Sequence, residues 1–328
     1  MTTFARRIAA LALTCGVVLA ATHSLPARGQ EILRLEVGVT ADGIATDRWL
    51  AAVRERLSDG EFAAASHMRR PLSTSESTWV EVIGSRLPTW RGQTADVALP
   101  YRPVKRPELA TIVLGNRGGS DAFTPDSLTI AFDLRALHEA YGDANREENG
   151  DRIDRLFRHE YAHLVQKAWL REHPFPVTEP VEGALLDIWL EGLGNYLSLS
   201  DRWRSTDGSR SATAAATLES LEPRFVARIA ALSCATPPNA ALLLADLSSG
   251  PFNEKWGALA AALWLDAEAS VDADAIGRFV AAGPSGVWDL ADRHLDPGLG
   301  ATLREARSVD ALCDFASTDT TRNWIQRK

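Results

Sequence analysis

The chain has 328 residues, 45% of them hydrophobic and 24% charged. It is too apolar for a disordered protein and long enough for one large domain or two lobes. Its formal net charge of −8 leaves no basic surface for a nucleic-acid backbone, which argues against partners of that class.

In chain order, Arg6 and Arg7 precede an apolar run from Ile8 to Ala21, with small residues around Ala20 at a cleavage position. This is the pattern of an export leader over residues 1–21, too short to be a comfortable membrane span. Its removal takes two arginines and shifts the formal charge from −8 to −10. The mature chain is expected to be periplasmic or extracellular, with no membrane span. In such an oxidising compartment its remaining cysteines, Cys234 and Cys313, favour a disulfide.

Residues 31–38 alternate between apolar and polar and predict a strand, and Thr46 to Leu57 predicts a helix. A further helix is expected over Ser75 to Arg86. Leu109 to Leu114 and Ser127 to Leu134 are β-branched apolar runs separated by Gly118, Gly119 and Pro125, hence strands. Asp151 to His173 predicts one helix whose apolar arc holds Ile153, Phe157, Tyr161, Leu164 and Ala168. From about Pro180 onwards the periodicity is helical, with breaks expected at Pro223, Pro237-Pro238, Gly250-Pro251, Gly283-Pro284 and Pro297. Strands first and helices afterwards imply an α+β fold. The division expected is a catalytic domain over 30–200, carrying the small sheet, and an all-α lobe over 201–328.

The chemistry concentrates in His159-Glu160-Tyr161-Ala162-His163. Histidines four apart on a helix lie one turn above each other, about 5–6 Å between Cβ atoms, so both rings can converge on one metal ion. Glu160 then sits beside the ion, where its carboxylate can act as general base toward a water. A catalytic zinc needs one more protein ligand and an open position. A glycine and a histidine at fixed offsets beyond His163 would supply it, but Gln166 and Trp169 occupy those places.

The remaining choices are Glu182 and Glu191, which follow His163 by 19 and 28 positions. Nine residues apart on one helix, they point to opposite sides, so only one can face the metal. Glu191 shares its side with Asp187 and Asn195, polar groups one turn below and above it that could orient the histidine rings, Asn195 first and Asp187 next. Glu182 lies in the first turn, where the helix dipole favours an acid anyway. Glu191 is the favoured ligand.

Together with Trp189-Leu190-Glu191-Gly192-Leu193-Gly194-Asn195-Tyr196, the histidine motif resembles the gluzincin metallopeptidases, in particular their aminopeptidase N-like branch. The resemblance covers about forty residues. It implies a zincin-like fold, with a small sheet and helices, an active-site helix bearing the histidines, and helices after it. It also implies one zinc per chain and hydrolysis of peptides or protein segments. Many members of that branch have eighteen residues between the second histidine and the glutamate, which fits Glu182 and keeps it as the alternative. The branch's glycine-rich motif for recognising a peptide terminus is absent, so aminopeptidase specificity does not carry over.

Resembling enzymes stabilise the oxyanion with a tyrosine or histidine from the downstream lobe, yet no tyrosine follows Tyr196. His294, Trp256 in Asn253-Glu254-Lys255-Trp256-Gly257, and Tyr141 are the candidates for that role. Losing such a donor typically slows an enzyme by about 10²–10³. A second reading is therefore a zinc-binding, catalytically impaired relative that serves as a binding or assembly protein.

Overall fold

The computed structural model describes residues 32–102 and 109–307. The leader and Cys313, and with it the expected disulfide, lie outside the described residues. The fold is α+β, with a small four-stranded mixed sheet and many helices. None of the described helices is long and apolar enough to cross a membrane.

Strand β1 (Ile32–Val37) is followed by α1 (Asp47–Val53), α2 (Asp59–His67) and α3 (Thr74–Ala98). These three helices make the crossover that a parallel partner strand requires, and β2 (Leu109–Gly115) then pairs parallel to β1. The edge strand β3 (Ala122–Phe123) runs antiparallel to β4 (Thr129–Asp133), giving the order β1-β2-β4-β3. Side chains alternate across this sheet. Val113 and Ala131 join Trp49, Ala52 and Val53 of α1 on one face. Ile112, Leu114, Ile130 and Phe132 enter the main core on the other.

That second face carries α3 and, beyond α4 (Leu134–Tyr141), the long α5 (Glu147–Glu172). Its centre is an aromatic stack. The Trp90 ring lies parallel to Phe157, 4.4 Å between centroids, and stacks on Phe132 at 5.9 Å. Trp90 Nε1 also donates to Asp154 Oδ1 at 2.8 Å, and Arg86 of α3 pairs with the same carboxylate. The α5 arc read from the sequence, Ile153, Phe157, Tyr161, Leu164 and Ala168, is buried as expected.

Helix α6 (Pro180–Leu199) packs across α5. Next come α7 (Ala212–Leu232), α8 (Pro237–Leu244), α9 (Ala258–Ala269), α10 (Ala275–Ala282), α11 (Gly286–His294) and α12 (Pro297–Arg307). The main core runs without interruption from Leu33 to Leu303. Helices α6 and α9 approach closely because small residues face each other: a Cβ on Gly192 would stand 2.9 Å from the Ala261 Cβ.

Two expected boundaries are corrected. Helix α3 continues past Arg86 to Ala98 with Pro88 inside it, and α7 runs straight through Pro223. An internal proline costs about 3 kcal/mol or more in an isolated helix. Both prolines face solvent, where water can satisfy the carbonyl they leave unpaired. Burial of Trp90, Thr94 and Val97 beyond the first, and of Phe225, Val226 and Ile229 beyond the second, holds each helix together.

Candidate metal centre

Helix α5 begins with Glu147 and Glu148 and has Arg171 in its last turn, charges that suit the two ends of its dipole. Its apolar arc is fixed against the sheet and α3, which leaves the side bearing His159 and His163 turned toward α6. The N-terminus of α6 is set by a capping box. Glu182 Oε2 accepts from Glu179 N at 3.0 Å and from Thr178 N and Oγ1 at 2.6 and 2.8 Å. Glu182 is thus occupied in closing the helix end, and these hydrogen bonds hold its carboxyl below the usual range.

Glu191 is the acid that meets the histidines. Its Oε2 lies 3.3 Å from His159 Nε2 and its Oε1 3.5 Å from His163 Nε2, while the two Nε2 atoms are 3.0 Å apart. The three groups offer one ligand atom each to a common centre and could hold a metal ion. The rings stand nearly perpendicular, 4.6 Å between centroids.

Gly194, one turn beyond Glu191, makes room for this arrangement. A Cβ there would lie 2.9 Å from His159 Cε1 and 3.0 Å from its Nδ1, so the ring would have to shift to admit it. His163 is oriented by Gln166, whose Oε1 is 2.7 Å from His163 Nδ1 and whose Nε2 donates to the Leu190 carbonyl at 3.0 Å. Because that amide nitrogen is committed to Leu190, Gln166 presents an acceptor to Nδ1. It therefore fixes the tautomer that leaves Nε2 unprotonated toward the cluster. The fully buried Gln166 ties both helices to one ligand.

The electrostatics of the cluster follow from this geometry. Burial opposes the charge on Glu191, but the two histidines overcome it and hold its carboxyl at about 2. Burial likewise disfavours a charged His159, yet the hydrogen bond and charge of Glu191 raise its pKa net. The positive charge of Lys255, just ahead of α9, acts on both groups and favours anions at the cluster. Glu160 is buried, with its Oε2 2.9 Å from Thr124 Oγ1.

The structure brings together His159, His163 and Glu191, places Glu160 beside them on α5 with its carboxylate against Thr124, and replaces the expected orienting groups. Neither Asn195 nor Asp187 hydrogen-bonds to a histidine ring among the described residues. Asn195 is buried with Nδ2 unpartnered. Asp187 is exposed on α6, and desolvation and then the charge of Glu191 push its carboxyl up to about 6. Gln166 does the orienting instead. The sequence signal for it was its place three positions after His163 on the same helix, one turn along.

The three candidate oxyanion donors are engaged elsewhere. Trp256 is wholly buried and donates Nε1 to Asp246 Oδ1 at 3.0 Å. His294 Nε2 lies 3.2 Å from Glu268 Oε1 and its ring stacks on Trp264. The Tyr141 hydroxyl donates to Asp121, and burial together with that negative charge pushes its pKa well above the phenolic value.

No protein-family model, curated protein or solved structure matches the chain.

Proposed function

We propose that this chain is an exported zinc-dependent peptidase of gluzincin type, with His159, His163 and Glu191 as ligands and Glu160 as general base. The observation that carries the proposal is the spacing of the donors. Bonds of about 2.0–2.1 Å in a tetrahedron put neighbouring ligand atoms about 3.3 Å apart. The three separations here are 3.0, 3.3 and 3.5 Å. Two imidazoles with one carboxylate suit zinc better than magnesium or calcium, which prefer an all-oxygen shell. One carboxylate also leaves the ion a net positive charge and a fourth position for a reactant.

Zinc supplies Lewis acidity in such a site, bringing the pKa of water from about 15.7 to near 7 and polarising a carbonyl. The chain does the rest. Gln166 keeps the His163 ring in its ligating tautomer, and Gly194 leaves the His159 ring room to turn inward. Glu160 accepts the proton of the attacking water on a carboxylate oxygen and passes it to the leaving amine. The order of a small sheet ahead of α5 and helices after it supports this reading.

Purified protein is expected to carry one zinc, to lose it in His163→Ala, and to keep it in Glu160→Gln while peptide hydrolysis disappears. Equal cleavage of a peptide library by Glu160→Gln would remove Glu160 from the mechanism. The commitment of Trp256, His294 and Tyr141 to other partners favours the second reading, a zinc-stabilised binding or assembly protein. That reading predicts metal-dependent thermal stability without turnover of any peptide.

A further inference from the structure

We propose that Thr124 is a positioning residue for Glu160: its hydroxyl pins one carboxylate oxygen so that the other stays presented to a reactant beside the histidines. The inference rests on the peptidase reading above and adds a residue to it.

Thr124 directly follows β3, the edge strand beside α5. Its Oγ1 lies 2.9 Å from both the backbone oxygen and Oε2 of Glu160. The backbone contact by itself would be ordinary packing of a strand end on a helix. The hydroxyl has one proton, and because the Glu160 carbonyl already accepts within the α5 ladder, that proton is available to Oε2. Glu160 keeps only 7% of its surface in solvent, and Thr124 is the sole hydrogen-bond donor to its carboxylate among the described residues. Oε1 has no such partner, yet it is not among the side-chain atoms sealed from solvent, so it is the oxygen open to a reactant. A buried carboxylate held on one side and free on the other is what a base needs to keep a single orientation.

Thr124 is itself held in place. Lys167, two turns after Glu160 on α5, donates its ammonium to the Thr124 carbonyl. Helix α5 therefore grips the strand end at two points, Glu160 and Lys167. Burial lowers the pKa of Lys167 against the opposing pull of Asp126, Glu160 and Glu55, in keeping with an ammonium drawn partly out of water to reach that carbonyl.

The test uses full-length protein loaded with cobalt(II), whose visible spectrum reports ligands at the site, in wild type, Thr124→Val and Thr124→Ser. The probes are acetohydroxamic acid, which sheds its hydroxyl proton on binding a metal and so needs an acceptor beside it, and azide, which brings no proton. Thr124→Val should fold cooperatively and take up cobalt stoichiometrically, melting somewhat below the wild type because a buried carboxylate loses its donor. It should bind acetohydroxamate about ten- to a hundredfold more weakly, the range expected for a lost hydrogen bond to a charged group, with azide affinity unchanged. Thr124→Ser, which keeps the hydroxyl, should restore wild-type affinity. Wild-type acetohydroxamate affinity in Thr124→Val, or equal loss of azide, overturns the inference alone. A wild type that takes up no cobalt overturns the metal reading, and the inference with it, before any probe is added.

Discussion

Replacing Gly194 by alanine separates the fold from the metal centre. In a helix interior, alanine is favoured over glycine by about 0.5–1 kcal/mol, so on propensity alone the substitution strengthens α6. The added methyl would stand 2.9 Å from His159 Cε1 and 3.0 Å from Nδ1. Carbon atoms pack at about 3.5–4.0 Å, so the ring must retreat by about 0.6 Å or more. Metal–ligand bonds tolerate only about 0.2 Å, so the retreat disrupts one of three ligands, a loss comparable to the 10–100-fold typical of disturbed ligand orientation. By linkage, the stabilisation gained from saturating metal shrinks by about 1.4–2.8 kcal/mol. The assay is thermal melting of Gly194→Ala and wild type, each with excess zinc and with chelator, alongside zinc affinity by competition with a chromophoric chelator. The expected result is metal-free proteins that melt within a few degrees of each other and a clearly smaller zinc-induced rise in the variant. Wild-type zinc affinity in Gly194→Ala would refute the placement of His159 against α6. A large destabilisation of the metal-free variant would show instead that the contact serves packing.

Glu191→Gln should abolish zinc binding, whereas Glu182→Gln should keep full zinc and lower thermal stability slightly through the weakened capping box; metal analysis of both proteins decides. Gln166→Leu should bind zinc about tenfold more weakly, because nothing then selects the His163 tautomer, which isothermal titration would measure. Without metal, stability should depend on pH through the Glu191–histidine cluster. Glu191 is held at about 2, so its contribution is present above the unfolded carboxylate value near 4.3 and is lost as pH falls toward 2. His159 is raised, so its contribution is present below about 6.5 and is lost as pH rises through the folded value. The melting temperature of chelated protein should therefore be highest around pH 5–6 through this cluster, and Glu191→Gln should flatten both limbs; identical profiles for the two proteins would contradict it.

Much of the centre was legible because helix geometry is local. His159 and His163 face one way whenever Asp151 to His173 is helical, and a half-turn offset between Glu182 and Glu191 guarantees that only one can join them. The sequence favoured Glu191 but kept Glu182 as the alternative, since a spacing along the chain does not say how α6 crosses α5. Contact with Thr178 and Glu179 made Glu182 a cap, and the crossing brought Glu191 to the rings. The glycine of Leu193-Gly194 read as part of a motif; only the packed helices reveal that its missing side chain is the space of the His159 ring.

The same division runs through the fold. Alternation marked β1, unbroken β-branched apolar runs marked β2 and β4, and the apolar arc marked α5, because each pattern is written in neighbouring residues. The two-residue β3 is too short to leave a pattern, and the prolines at 88 and 223 gave a true local signal that tertiary burial overrode. Gln166, Thr124 and the diversion of Trp256 to Asp246 depend on partners 24, 36 and 10 residues away. Sequence alone determined the chemistry available on α5, since periodicity fixes which side chains share a face. Which groups orient, cap or hold those side chains was decided only when strand end and helices closed on one another, because a hydrogen bond requires contact within about 3 Å and no local pattern encodes it.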